Sequence, residues 1–485
     1  MAPEPNTASL LPSLGVGFSV LTASHYSLTY EGSRTACVFR LLIAPVGLYA
    51  FYDFCWRSYV EHDGALWPSS YSTIWTLTAI GVARIVDVCV LSLLDIRPPH
   101  YVEHTSGNNI PLPTTSIERL IYALDLTSSL DGTSYRSYRH WNWTSSKLAA
   151  YHAPRSLTSS RFVLNSIVSA LLTYLPLDLI RSYIHAAISP TLKARSYDNY
   201  TPVTMLLPFW QQIVLALEFF MHAQAVFLIL HTSLLVICVG SGLSSDLDNW
   251  PPPFDNPWWS HSLPHFWSQA WHSMHRRLFL RFAFPFVYFL FPSTRHPTVQ
   301  QKARRPKFLQ NGTSIAQHDG NELHEVGITQ DGDDATRWDK KTPKIRLSPS
   351  AAYVTMILSF IASGIFHLGL VFRVRLATPP GTMPRPQASL LRFWKYDLSA
   401  ANFFFAQPIG ITFDMMLLRP IFGASSMIRR VFAWVWLLYT VRWWLDAWAA
   451  AGMLDGDEPW LLGSPVTALI GFLGVDPLNT YTWQW

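Results

Sequence analysis

The sequence predicts an all-α fold: a polytopic membrane bundle of about eight or nine transmembrane helices around an internal tunnel. Three observations lead there. Of the 485 residues, 49% are hydrophobic and only 14% are charged, against about 25% charged in a typical soluble domain. Twenty-one Trp and 29 Phe add to the apolar load. Apolar runs of about 20 residues, the length that spans hydrocarbon, recur along most of the chain. The lipid bilayer is therefore the first partner to expect. The formal net charge of +5 is small for this length and gives no sign of a nucleic-acid partner. It matches the basic bias of cytosolic membrane loops.

Taken in order, residues 1–160 hold N-terminal membrane helices and a polar loop. Leu10 to Leu28 is the first candidate span, softened by Ser and Thr. Ala36 to Trp56 is stronger, though Arg40 interrupts it. Tyr71 to Leu94 carries Arg84 and Asp87 three apart, a spacing that allows an ion pair on one helical face. Asp95 to Ser160 is rich in Ser, Thr, Tyr and Arg and reads as a long loop with an interfacial segment near Tyr135 to Trp143.

Residues 161–291 hold two or three further spans. Phe162 to Ile180 is one. Met205 to Val239 is too long for one upright crossing, so a tilted helix or two segments broken near His222 is expected. Gly240 to Met274 is dense in Trp, Pro and His, which suits the headgroup level of a bilayer. Arg277 to Phe291 is apolar but short, a re-entrant segment or a tilted crossing.

Residues 292–349 change character. Ten basic against seven acidic side chains with few aromatics read as a solvated loop, and the basic excess favours the cytosolic side. Residues 350–485 return to membrane-grade sequence. Ala351 to Phe372 contains His367, Ala400 to Leu418 contains Asp414, Arg430 to Ala451 contains Arg442 and Asp446, and a last apolar stretch runs from Trp460 to Leu473.

Cys37, Cys55, Cys89 and Cys238 stand alone in apolar surroundings, so neither a disulfide framework nor a zinc site is expected. Met1 to Asn6 lacks a basic signal-peptide region, and no cleaved leader is expected. Asn142, Asn199 and Asn311 open glycosylation tripeptides, a short and unspecific pattern.

Two constellations carry the chemistry. The first is His367, in the middle of the cleanest span and preceded by Ala362, Ser363 and Gly364. Small residues there let another helix or a substrate approach, and a neutral imidazole can act as general base on an alcohol without a metal. Helix packing is the competing role, and periodicity alone does not separate the two. The second is Phe266-Trp267-Ser268-Gln269-Ala270-Trp271-His272. Its indoles can line a tunnel for a greasy substrate, and His272 can donate to an oxyanion. An interfacial aromatic belt explains the same residues equally simply.

Metal chemistry is less well supplied. His261 with His265 and His272 with His275 have helical spacings. Membrane di-iron enzymes use about eight His with adjacent pairs, and no adjacent pair exists here. No metal site is expected. A phosphate-binding Gly-rich loop ending in Lys-Ser or Lys-Thr is also missing, and Asp246, Asp248 and Asn249 are a poor match to the boxes of membrane prenyltransferases.

Phe-Trp-x-x-x-Trp-His followed about ninety residues later by Ser363-Gly364-Ile365-Phe366-His367 resembles the wax-synthase-like branch of the membrane-bound O-acyltransferases. The length, the hydrophilic insert and the sequence style are similar to fungal members that acetylate meroterpenoid and trichothecene intermediates. His265, Gln269 and Ala270 stand where family members often carry an Asp and two Arg.

The resemblance implies acyl transfer from acyl-CoA, here acetyl-CoA, to a hydroxyl of a hydrophobic acceptor in an endoplasmic reticulum membrane. Acetyl-CoA would be a co-substrate, and no cofactor is implied. By analogy His367 is the base, and His272 with the Trp271 indole stabilises the oxyanion. Phe266, Trp267, Trp271 and Ser363 would contact substrate, and Arg276 and Arg277 would replace the missing arginines toward the CoA phosphates. A long-chain wax or sterol ester synthase, a multi-helix transporter and an iron-dependent hydroxylase are the competing classes. A transporter would carry internal repeats, and none is visible.

Overall fold

The structure is a computed structural model. It describes residues 11–60, 68–94, 98–103, 108–129, 132–134, 139–144, 149, 151–154, 156–194, 202–244, 246–271, 275–291, 348–377, 398–424, 426–451 and 454. Ten helices organise it: α1 (Leu11–Leu28), α2 (Arg34–Val60), α3 (Pro68–Cys89), α4 (Ser116–Ser128), α5 (Ser159–Tyr183), α6 (Phe209–Gly240), α7 (Arg276–Leu290), α8 (Pro349–Ala377), α9 (Leu398–Phe413) and α10 (Met427–Ala450).

Among the described residues, six stretches are long and apolar enough to cross a membrane: Arg34–Ser58, Thr73–Leu94, Ser159–Leu192, Phe209–Gly240, Pro349–Val371 and Leu398–Phe422. The protein is thus a helical, multi-pass membrane type. Their outward faces carry the side chains that lipid requires, such as Leu42, Tyr49, Leu172, Leu179, Ile237 and Ile365, all exposed. The stretch from Phe209 to Gly240 is one continuous helix of 32 residues, unbroken at His222. At 15 residues α7 is about 22 Å long, short of the ~30 Å of hydrocarbon. The helix α10 is long enough but carries Arg429, Arg430, Arg442 and Asp446 and is not among the six. Trp460 to Leu473 and most of the basic segment 292–349 lie outside the described residues.

The polar stretch 95–160 is more ordered than its composition suggests. Thr115 caps α4, and Glu118 reaches back to the Thr115 N–H, a reciprocal capping box. Two three-residue strands, β1 (Tyr101–Glu103) and β2 (Arg139–Trp141), pair antiparallel with Tyr101 opposite Trp141. Tyr101, Tyr122 and Trp141 then meet ring to ring at 4.3–5.8 Å and pack against Leu21, Leu28, Phe51, Ile85 and Val88 of α1 to α3. The short runs that build this unit lack the period that marks a helix or strand in isolation.

The expected pair within α3 is replaced by longer-range contacts. Arg84 donates to the carbonyls of Leu126, Thr127 and Ser129, at the helix end where carbonyls lack helical partners. Asp87 instead takes Arg277 at 2.9 Å and Arg281 at 2.5 Å. Those contacts tie α7 to the N-terminal helices.

The main core joins α6, α8, α9 and α10 around Phe220, Phe403, Phe404 and Trp444. One face of α9 holds this half together. Gln407 and Asp414, both completely buried, lie seven apart along α9 and the π turn Asp414–Leu418 that continues it, and Gly410 between them has no room for a Cβ. Such an atom would sit 2.7 Å from Leu263 Cδ2 and 2.4 Å from Trp436 Nε1. Asp414 accepts from Arg429 Nε at 2.5 Å through one oxygen and from the Leu263 backbone N–H at 3.1 Å through the other. Arg429 in turn donates to the Gly423 and Ala424 carbonyls.

A buried ion pair that loses one partner leaves an uncompensated charge. Arg429→Met should therefore destabilise the detergent-solubilised protein by ~3–5 kcal/mol, read as a lowered midpoint of thermal unfolding. The double variant Arg429→Met, Asp414→Leu should recover most of that loss.

Candidate active site

The His-rich stretch begins at Ser262, whose extended backbone ends at a one-turn helix, Leu263–His265. The Ser262 hydroxyl accepts the His265 N–H, and Pro264 suits the first turn of a helix, where its missing N–H is not needed. Phe266–Ala270 then forms a π turn, closed by the Trp271 N–H on the Phe266 carbonyl at 2.8 Å. Such turns bulge a helix and recur at functional sites. Here the bulge turns Trp267 toward α8 and α9. Its indole N–H donates to Gln407 Oε1 at 3.1 Å, and its ring meets Phe360, Phe403 and Phe404 at 5.4, 6.0 and 6.3 Å.

His367 approaches the same cluster from α8. Its Nδ1 lies 2.7 Å from the Ser363 carbonyl and 3.4 Å from the Ser363 hydroxyl. A carbonyl only accepts, so Nδ1 carries the proton and Nε2 keeps its lone pair. The ring stacks on Phe404 at 4.2 Å with an interplanar angle of 12°. Trp444 meets it edge-on at 4.7 Å. The close approach of α8 and α9 depends on Gly364, where a Cβ would lie 2.6 Å from the Phe405 ring and 3.3 Å from the Ala401 carbonyl.

Trp267 and His367, a hundred residues apart in sequence, therefore share one neighbour, Phe404. Phe266 is fully buried behind Trp267 and stacks on Trp271 at 5.2 Å. Trp271 faces Phe220 and Phe254, while the indole in ring contact with His367 is that of Trp444. Ser363 is the hydrogen-bond partner of the imidazole through its carbonyl. Arg277 is held by Asp87 and lies over the Trp143 ring at 4.9 Å. His272 and the side chain of Arg276 lie outside the described residues.

Several residues of this cluster carried no signal of their own in sequence. The buried indole N–H groups of Trp444 and Trp448 have no hydrogen-bond partner among the described residues, an expensive condition that a ligand acceptor would relieve. Gln407 spends its amide on Phe403 and Thr440 as well as Trp267. A lone amide inside Phe403 to Ile411 was the available clue. His275 is a third imidazole nearby. It is 7% exposed, meets Phe366 at 5.6 Å, and Phe366 meets His367 at 5.0 Å. Burial pushes its pKa down to about 4, so it is neutral at pH 7.

The paired His261 and His265 rings touch at 4.1 Å. Among the described residues, no group of three or more His, Cys, Asp or Glu is arranged to hold a metal ion. All four cysteines are free thiols. Comparison of the chain with family models, with curated proteins and with solved structures finds no match.

The depressed His275 pKa has a stability consequence. The unfolded imidazole takes up a proton near 6.5, the folded one only near 4. Its contribution is fully present above pH 6.5 and is lost as the pH falls toward 4, by about 3 kcal/mol at most. Thermal unfolding of wild type and His275→Phe in detergent between pH 7.5 and 4.5 should show the smaller acid loss in the variant. Parallel curves would contradict that account.

Proposed function

We propose that this protein is a membrane-bound O-acyltransferase that moves an acetyl group from acetyl-CoA to a hydroxyl of a hydrophobic, terpenoid-type alcohol. The observation that carries the reading is that the two motif segments reach one ring, Phe404, which Trp267 and His367 both contact. A general base must have its lone pair free and its orientation held, and the Ser363 carbonyl supplies both conditions for Nε2.

In this reading His367 Nε2 takes the alcohol proton while the alcohol oxygen attacks the thioester carbonyl. A C–O bond forms, and the carbonyl pair moves onto oxygen. When the tetrahedral species collapses the C–S bond breaks, CoA leaves as its thiolate, and the imidazolium returns its proton to sulfur. The oxyanion needs donors in a dry site. The indole N–H groups of Trp444 and Trp448, without a hydrogen-bond partner among the described residues, are the candidates: Trp444 meets the His367 ring and Trp448 meets Trp444. The aromatic rings of the cluster, Phe360, Phe403, Phe404 and Phe219, suit an apolar acceptor. His272 keeps its proposed role as a further oxyanion donor, and eight or nine spans in an endoplasmic reticulum membrane are part of the same proposal.

Microsomes bearing the protein, labelled acetyl-CoA and a crude terpenoid extract test the reading by the labelled ester they form. His367→Ala should abolish the ester at unchanged expression. Trp444→Phe, which keeps the ring and deletes the donor, should lower turnover about a hundredfold with little change in KM. Wild-type microsomes that form no labelled ester, or a fully active His367→Ala, would overturn the proposal.

A further inference from the structure

Between the end of α1, the turn into α2, the second half of α3 and the start of α7 there is a cavity of about 240 Å³. Tyr30, Glu31 and Gly32, all on the exposed turn, form its mouth. His25, Arg40 and His275, each under a tenth exposed, form its floor. Ile80, Val88, Leu93 and Leu126 give it apolar walls.

Three guanidinium groups line this space: Arg40, Arg84 and Arg277. Two have work elsewhere. Arg84 closes the carbonyl end of α4, and Arg277 shares Asp87 with Arg281. Arg40 differs. It is 5% exposed, and its contacts are the Ser27 hydroxyl at 3.3 Å and the Cys37 sulfur at 3.4 Å. Its Nε is buried without a hydrogen-bond partner among the described residues. None of the ion pairs between described residues includes it.

An arginine does not shed its proton to escape burial, and a buried charge without a counterion is costly. The neighbourhood makes the imbalance worse, because the single carboxylate of Asp87 already answers two arginines. Glu31, at the exposed mouth, is the only other carboxylate among the described lining residues. An anion seated against Arg40 would restore the balance, and a phosphate, with its charge and several acceptor oxygens, matches a guanidinium fork best. The apolar walls accommodate an organic remainder.

We propose that this cavity binds the phosphate group of an organophosphate amphiphile, with Arg40 as the principal ligand. Two sources share that chemistry: the nucleotide end of an acyl donor such as coenzyme A, and a phospholipid headgroup. The first rests on the acyl-transfer reading. It is attractive because His275, on the cavity floor, is one phenyl ring removed from His367. The phosphate site itself does not depend on that reading.

The test is a binding titration on the full-length protein, purified in uncharged detergent and followed by its tryptophan fluorescence. The probes are coenzyme A, phosphatidic acid in mixed micelles, and pantetheine as the phosphate-free control. At least one phosphate-bearing probe should bind saturably, and pantetheine should not compete with it. Arg40→Gln should weaken that binding about tenfold or more. Glu31→Gln, at an exposed position, should tighten it roughly two- to fivefold, most clearly at low salt.

Binding by coenzyme A names the acyl donor. Binding by phosphatidic acid alone keeps the phosphate site and removes the donor from it, while the labelled-ester assay decides acyl transfer independently. If Arg40→Gln does not purify as a monodisperse species, Glu31→Gln decides alone. No saturable binding by either phosphate probe, or affinities unchanged in both variants, overturns the proposal.

Discussion

The arrangement around His367 depends on the buried carboxylate of Asp414. One oxygen is neutralised by Arg429 on α10, and the other holds the Leu263 backbone N–H at the start of the His-rich stretch. Phe266 and Trp267 follow Leu263 within about a turn, so a single carboxylate at the C-terminal end of α9 sets where the first motif meets the bundle. Four residues before Asp414, Gly410 allows Leu263 to lie directly on the helix. Three residues before that, Gln407 receives the Trp267 indole. Positions 407, 410 and 414 lie on one helical face, and that face reads as a docking strip for a segment with little regular structure of its own.

Other buried and half-buried charges follow the same logic. Asp87 anchors α7 to α3 through two arginines. Asp446 takes the Val203 backbone N–H at 2.7 Å, fixing the approach to α6. Glu218 pairs with Arg181 across α5 and α6 at 3.4 Å. In apolar surroundings a hydrogen-bonded carboxylate is a specific fastener, because any alternative packing leaves it unsatisfied. Asp87 and Asp446 tie a short helix or an irregular segment to a long helix, and Glu218 ties two long helices together. Arg40 breaks the pattern, since it is buried without such a partner among the described residues, and that exception is why its cavity reads as a ligand site.

The long apolar helices were legible from composition and run length, and so was the isolated imidazole at 367. Their physical signal is local: an 18-residue stretch either suits hydrocarbon or does not. What the sequence did not disclose is pairing between distant residues. Arg84 and Asp87 sit at the spacing of an intrahelical pair, yet each finds a better partner outside α3. That outcome depends on where α4 ends and α7 begins. Trp444 is one of 21 tryptophans and becomes distinctive only when α8 brings His367 against it. The ordered unit built from Tyr101, Tyr122 and Trp141 was hidden by its polar composition. The capping box at Thr115 and Glu118 was the legible trace of it.

The two motif segments meet at one aromatic cluster beside His367. A photoreactive benzoylphenylalanine placed at Phe404, in protein still in its native membrane, tests this directly. After illumination and mass spectrometry, cross-links are expected to the peptides that carry Trp267, His367 and Trp444. Cross-links only to lipid, or only within the helix that carries position 404, would contradict the account.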